Sequence, residues 1–225
     1  MGGACLAHRG GTETTRFYRR ASTEAPLLIA KFSCVTETQA PPPAFSDAVS
    51  SMLSATLRPD IELSTIRPPQ KLAPFSHAVG LEVIKAAQLH VPETSDDDAF
   101  GRLILLHDPR AEESWDGPMR LVAYIQADMD AAVAEDPLLP QVAWQWLTEA
   151  FDENNVDFSN LGGTVTTTNS VRYGEIGGKP QAFQLEMRAS WTAADNQLAP
   201  HVESFAQVLA NVAGLPPVGV TYLSR

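Results

Sequence analysis

From Met119 to Met129 the chain alternates strictly: Met119, Leu121, Ala123, Ile125, Ala127 and Met129 fall on one side, and Arg120, Val122, Tyr124, Gln126 and Asp128 on the other. Successive side chains of a strand point to opposite faces, so this pattern predicts a strand with one buried face. Just before it, RLILLH at 102–107 is almost continuously apolar, as a central strand covered by other elements would be. The stretch 101–129 therefore reads as a hairpin, and its turn carries the Asp108-Pro109 and Asp116-Gly117-Pro118 steps that suit bends.

The same reasoning gives the remaining strands. IELSTI at 61–66 alternates and stops at Pro68-Pro69, which predicts a short edge strand. Phe75, His77, Val79, Leu81 and Val83 share a face, with Ser76, Gly80 and Glu82 opposite. A long hairpin follows further on, from GGTVTTTNSVRY through the Gly-rich turn GEIGGKP to QAFQLEMRASWTA.

Three segments carry helical spacing. Ala44 to Leu57 places Phe45, Val49, Met52, Leu53 and Thr56 along one side and precedes Pro59. PLLPQVAWQWLTEAF predicts a helix with Asp136 as N-cap, Pro137 at its first position and a core stripe of Leu139, Val142, Ala143, Trp146 and Ala150. LAPHVESFAQVLANVAG sets Val202, Phe205, Ala206, Leu209 and Val212 or Ala213 on one face and closes at Gly214, before Pro216-Pro217. Strands joined by short links favour antiparallel pairing, so the expected fold is α+β: one antiparallel sheet of about five to six strands, with helices mainly on one face.

Residues 1–34 show no sustained period and read as lying outside this fold. We expect a disordered extension over 1–43, a single domain over 44–217 and a tail over 218–225. Val35, which opens VTETQAPPPAF, is the expected true start, with 1–34 as translated upstream sequence; the rival reading is a genuine disordered arm.

Charge narrows the function classes. The net charge is −11, yet residues 1–44 hold five basic and three acidic side chains, so the remainder carries 11 against 24, a net of −13. Nucleic-acid affinity rests on phosphate neutralisation by Lys and Arg, and no basic stripe is present, so neither nucleic acid nor an anionic membrane is an expected partner. The two cysteines, Cys5 and Cys34, both precede the domain, which rules out a cysteine-based zinc site or disulfide framework within it and fits a reducing cytoplasm.

Candidate chemistry centres first on the hairpin turn, with His107, Asp108, Glu113, Trp115 and Asp116. Imidazole and carboxylates could act in acid–base work or hold a divalent cation, with His77 as a further ligand. The same residues also suit a plain turn under a Trp, and that reading is preferred: no catalytic residue, metal or cofactor is assigned. His201-Val202-Glu203 echoes a zinc deaminase motif but lacks its paired cysteines, and both side chains are expected to face solvent at a helix start. Phosphate loops, dinucleotide-binding turns and nucleophile elbows are absent.

Two surfaces are left as candidates for a partner. Trp144 and Phe151 fall well off the centre of the expected helix stripe, as either a wide core face or an association surface. Thr164, Thr166, Thr168, Ser170 and Arg172 share one side of a strand, and Gln184, Glu186, Arg188, Ser190 and Thr192 one side of the next. If these sides coincide, the sheet has an open, hydroxyl-rich face, which is a solvated face or a binding platform.

At GRLILLHDPRAEESWDGPMRLVAYIQADM, DPLLPQVAWQWLTEAF, LGGTVTTTNSVRYGE, LEMRASWT and AGLPP, the chain resembles an actinobacterial domain-of-unknown-function family, number 3000, over about Phe45 to Pro217. That family brings no activity, cofactor or catalytic residue with it. In the order of its elements the chain is also similar to type III secretion chaperones, which implies a dimer that binds peptide segments. The expected function is a non-enzymatic binding or regulatory module, homodimeric, with a protein or peptide partner. The alternative is a small enzyme or metal-binding protein using the His107, Asp108, Glu113 and Asp116 turn.

Overall fold

A computed structural model describes residues 40–84, 99–110, 113, 115–175 and 181–219. The expectations for residues 1–39, for the acidic loop up to residue 98 and for the middle of the Gly-rich turn lie outside these.

The elements run α1 (Pro43–Leu53), β1 (Ile61–Ile66), β2 (Phe75–Val83), β3 (Ala99–His107), β4 (Met119–Met129), α2 (Ala131–Ala134), α3 (Leu139–Glu153), β5 (Phe158–Val171), β6 (Gln181–Ala193) and α4 (Ala199–Val212). The strands form one antiparallel sheet in the order β1-β2-β3-β4-β6-β5. This is the α+β architecture expected from the pattern, and β4 has the bounds its alternation implied. The crossover by α3 leaves β6 beside β4 and puts β5, its hairpin partner, at the edge.

One face of the sheet carries the core. Val79 and Leu81, Leu103 and Leu105, alternate residues of β4 (Leu121, Ala123, Ile125, Ala127) and of β6 (Leu185, Met187, Ala189, Trp191) project to it and are buried under Phe45, Ala48 and Met52 of α1, Leu147 and Phe151 of α3, and most of α4. Helix α4 is buried nearly all round because it lies between the sheet and the other two long helices. Gly101 makes this approach possible: a Cβ there would stand 2.7 Å from the Phe205 ring. The C-terminus of α4 follows the expected stop, with Gly214 at φ 64 and Leu215 N–H donating to the Ala210 carbonyl at 2.9 Å.

Three local expectations are corrected. Helix α1 stops at Leu53 rather than Leu57, because the Thr56 N–H is taken by Glu203 Oε1 of α4 at 2.8 Å. Helix α3 begins at Leu139 with Pro140 in its first turn, and Asp136 instead accepts the Leu138 N–H at 2.9 Å in the preceding turn. Its buried stripe is Leu139, Ala143, Leu147, Ala150 and Phe151, with Val142 exposed and Trp146 only partly covered. The apolar arc of this helix is broad, and the partners on the sheet select which part of it is buried: Phe151 packs on Phe158 at 4.8 Å and edge-on to Trp191 at 4.9 Å between ring centroids.

Candidate functional site

The opposite face of the sheet divides into two halves. Over β1 to β3 it mixes covered and exposed positions: Ala78, Gly80 and Leu106 are buried, Ile66 sits above Gly80, and Ser76 Oγ donates to the Pro69 carbonyl at 3.3 Å, which ties the Pro-containing link to the strand, whereas Glu62, Ser64, Glu82 and Arg102 are exposed. Over β4, β6 and β5 the face is polar, and the register builds it row by row. Tyr124 stands opposite Arg188, Gln126 opposite Glu186 and Asp128 opposite Gln184. On the other side of β6, Thr164 pairs with Arg188, Thr166 with Glu186 and Thr168 with Gln184. The two hydroxyl-bearing sides therefore coincide.

These side chains are organised into two sets. The donating Tyr124 hydroxyl lies 2.7 Å from Gln126 Oε1 and 2.9 Å from Glu186 Oε2. Burial first, and then the hydrogen bond to the Glu186 carboxylate, push the phenol above its ordinary pKa. Arg188 forms an ion pair with Glu186 at 2.9 Å, and its guanidinium carbon lies 5.6 Å from the centroid of the Tyr124 ring. A second set lies at the other end of the face, where Arg120 donates to the Asn160 carbonyl at 2.9 Å, to Thr192 Oγ1 at 3.1 Å and to Ser190 Oγ at 2.7 Å. Thr166 and Thr168 are exposed beside the first set, and Arg172 is exposed just beyond the end of β5.

The turn cluster does not converge. His107 points to the helix side, stacked on Phe45 at 5.8 Å and next to Phe75 at 6.0 Å, and its Nδ1–H donates to the Pro118 carbonyl at 3.1 Å. Asp108 is engaged by Arg110, whose Nη2 donates to Oδ2 at 2.9 Å and whose backbone N–H donates to Oδ1 at 2.9 Å. That side-chain hydrogen bond is the main cause holding the Asp108 carboxyl below its usual range. Glu113 and Asp116 are exposed. Asp116 adopts φ 57, a local turn geometry, and Thr192 Oγ donates to the Trp115 carbonyl, folding the turn over the end of β6. His77 faces the helix side from β2, its Nε2 is buried without a hydrogen-bond partner among the described residues, and burial lowers its pKa. Among the described residues no three His, Cys, Asp or Glu side chains come together as a group able to hold a metal ion.

The aromatic edge of α3 is not a free surface. Phe151 is 0% exposed, and Trp144 is half-buried with its ring laid over Gly163 of β5, where a Cβ would come within 2.7 Å of the indole. Phe151 is thus removed from the candidate partner surface. Nor does His201 face solvent: it is 2% exposed, stacked on Trp191, and its Nδ1 accepts the indole N–H at 2.9 Å. Burial lowers its pKa to about 4, opposed by Asp195. Glycine at 163 was the unread signal for the place of Trp144, since a glycine inside a strand marks a close approach.

Among the described residues no helix is long and apolar enough to cross a membrane. No curated protein and no solved structure matches the chain. A family model, described as a protein of unknown function, DUF3000, matches residues 41–221, and the chain therefore belongs to that family.

Proposed function

We propose that the protein is a non-enzymatic binding or regulatory module of the cytoplasm that recognises a protein or peptide partner, as a homodimer, through the open half of its sheet. One observation carries this reading. Its helices cover a single face, whereas the β4-β6-β5 half of the other face presents exposed hydroxyls next to an ordered Tyr124, Glu186 and Arg188 set. Exposed hydroxyls, one guanidinium and one carboxylate suit the hydrogen-bonding groups of a polar peptide, and holding Arg188 in place lowers the ordering cost of binding. The resemblance in element order to the secretion-chaperone class, to which the strand at 61–66 is additional, supports peptide binding by a dimer as an argument from fold alone.

Site-specific photo-crosslinking tests this in the native cell. Besides the second copy of the chain, a crosslinker at Thr168 should capture one recurring heterologous partner, and Arg188→Glu should abolish that heterologous adduct. Capture of the same partner from exposed Gln141 on α3, or an adduct indifferent to Arg188→Glu, would overturn the reading.

A further inference from the structure

The sheet has two edges, and they are built differently. β1 is six residues long, lies between Pro59 and Pro68-Pro69, and carries an exposed Glu62. Short length, proline and charge are the devices that stop an edge strand from recruiting another strand. β5 is 14 residues long. After the irregularity between Ser159 and Gly162, its pairing with β6 continues without interruption to Val171. Over Leu161 to Val171, LGGTVTTTNSV, it contains no charged residue and no proline, and all but Leu161 and Val165 are exposed. Among the described residues no strand pairs with its outer edge. Among the described residues its outer row of backbone donors and acceptors is unpaired, on an otherwise strongly acidic body.

We infer that the edge is occupied by a second copy of this chain, the Gly162–Val171 segments of two copies pairing antiparallel about a two-fold axis. The inference rests on the homodimer part of the function proposed above and names its interface. Charge argues for this occupant. With a net charge of −11, two copies repel wherever their carboxylates meet, and an uncharged strand against itself minimises that repulsion. Self-pairing also sets Thr164, Thr166, Thr168 and Ser170 against the same set, and threonine and serine side chains make favourable cross-strand pairs. The charged β6 neighbours of Thr166 and Thr164, Glu186 and Arg188, already pair with each other. The two-fold joins two six-stranded sheets edge to edge, so the open faces become one, with the threonines at its middle.

Light scattering on the full chain and on two double variants, Thr166→Lys with Thr168→Lys and Thr166→Glu with Thr168→Glu, tests the interface. The wild type should have the mass of two chains and each variant the mass of one, with unchanged circular dichroism. An equimolar mixture of the variants should return to the mass of two, because opposite charges then face each other. A monomeric wild type overturns the homodimer reading and this interface together. A dimeric wild type whose variants both stay dimeric, or whose variants fail to reassociate on mixing, overturns the β5 interface alone. Hydrogen exchange on the unaltered chain decides independently of any variant: the outward amides of residues 162–171 should gain protection as concentration rises, and exchange insensitive to concentration overturns the interface.

Discussion

Trp191 on β6 donates its indole N–H to His201 Nδ1 across 2.9 Å, joining the end of β6 to the first turn of α4. The two rings are nearly parallel, 18° apart, and Phe151 stands edge-on to both. An acceptor nitrogen is a neutral one, so this hydrogen bond and the buried site both require the uncharged imidazole.

Stability should therefore depend on His201 in a defined window. Its pKa is about 4 in the fold against an ordinary value of 6.5, so between these values the unfolded chain binds a proton that the native chain does not. The contribution is complete above the unfolded value and is lost as pH falls towards the folded one, roughly 3 kcal/mol in all. Urea midpoints at pH 7 and pH 4.5 measure it. His201→Gln keeps an acceptor without titrating, and the drop between the two pH values should be smaller in that variant by about 2 kcal/mol; an equal drop would remove His201 as the cause.

Adjacent glycines should respond in opposite ways. A Cβ on Gly163 would stand 2.3 Å from the Arg188 carbonyl and 2.7 Å from the Trp144 ring, whereas one on Gly162 would meet nothing within 4 Å. Gly163→Ala should cost at least about 2 kcal/mol through overpacking against backbone. Gly162→Ala should be neutral or stabilise by up to about 1 kcal/mol by restricting the unfolded chain. Thermal denaturation of the two variants separates them.

Phe151→Ala should cost about 3–5 kcal/mol, since it empties a site enclosed by Phe158, Trp191 and His201. Val142→Ala on the same helix is exposed, so its effect should stay within about 0.5 kcal/mol. Equal effects in chemical denaturation would contradict the orientation of α3 described above.

Helix α4 has no capping side chain of its own; its Ala199 N–H is accepted by Ser51 Oγ of α1 at 3.0 Å. Ser51→Ala should cost about 1 kcal/mol, the scale of a lost N-cap, although the two residues are distant in sequence. A double-mutant cycle with Glu203→Ala would measure how far this bond couples to the Thr56 bond across the same pair of helices.

The strands were legible because their signal is local. Alternation from Met119 to Met129 and the proline stops after Ile66 fix period, direction of burial and ends with no reference to the rest of the chain. The coincidence of the threonine side of β5 with the Glu186 and Arg188 side of β6 was only a condition in the sequence, because register across a hairpin depends on its turn and on the irregularity at Ser159 and Gly162. The turn from His107 to Asp116 was misleading in the other direction: residues close in sequence point apart, His107 to the helix layer and Asp108 to Arg110.

The sequence by itself thus determined the α+β class, the order of the elements, the central hairpin and an acidic body with an uncharged, threonine-rich strand, since all of these follow from periodicity and composition. Only the tertiary structure decided that Phe151 and His201 are core, that Trp144 closes over Gly163, and that the uncharged strand lies at an edge of the sheet. Burial and strand order depend on which distant segments meet, and a local pattern carries no information about its partner.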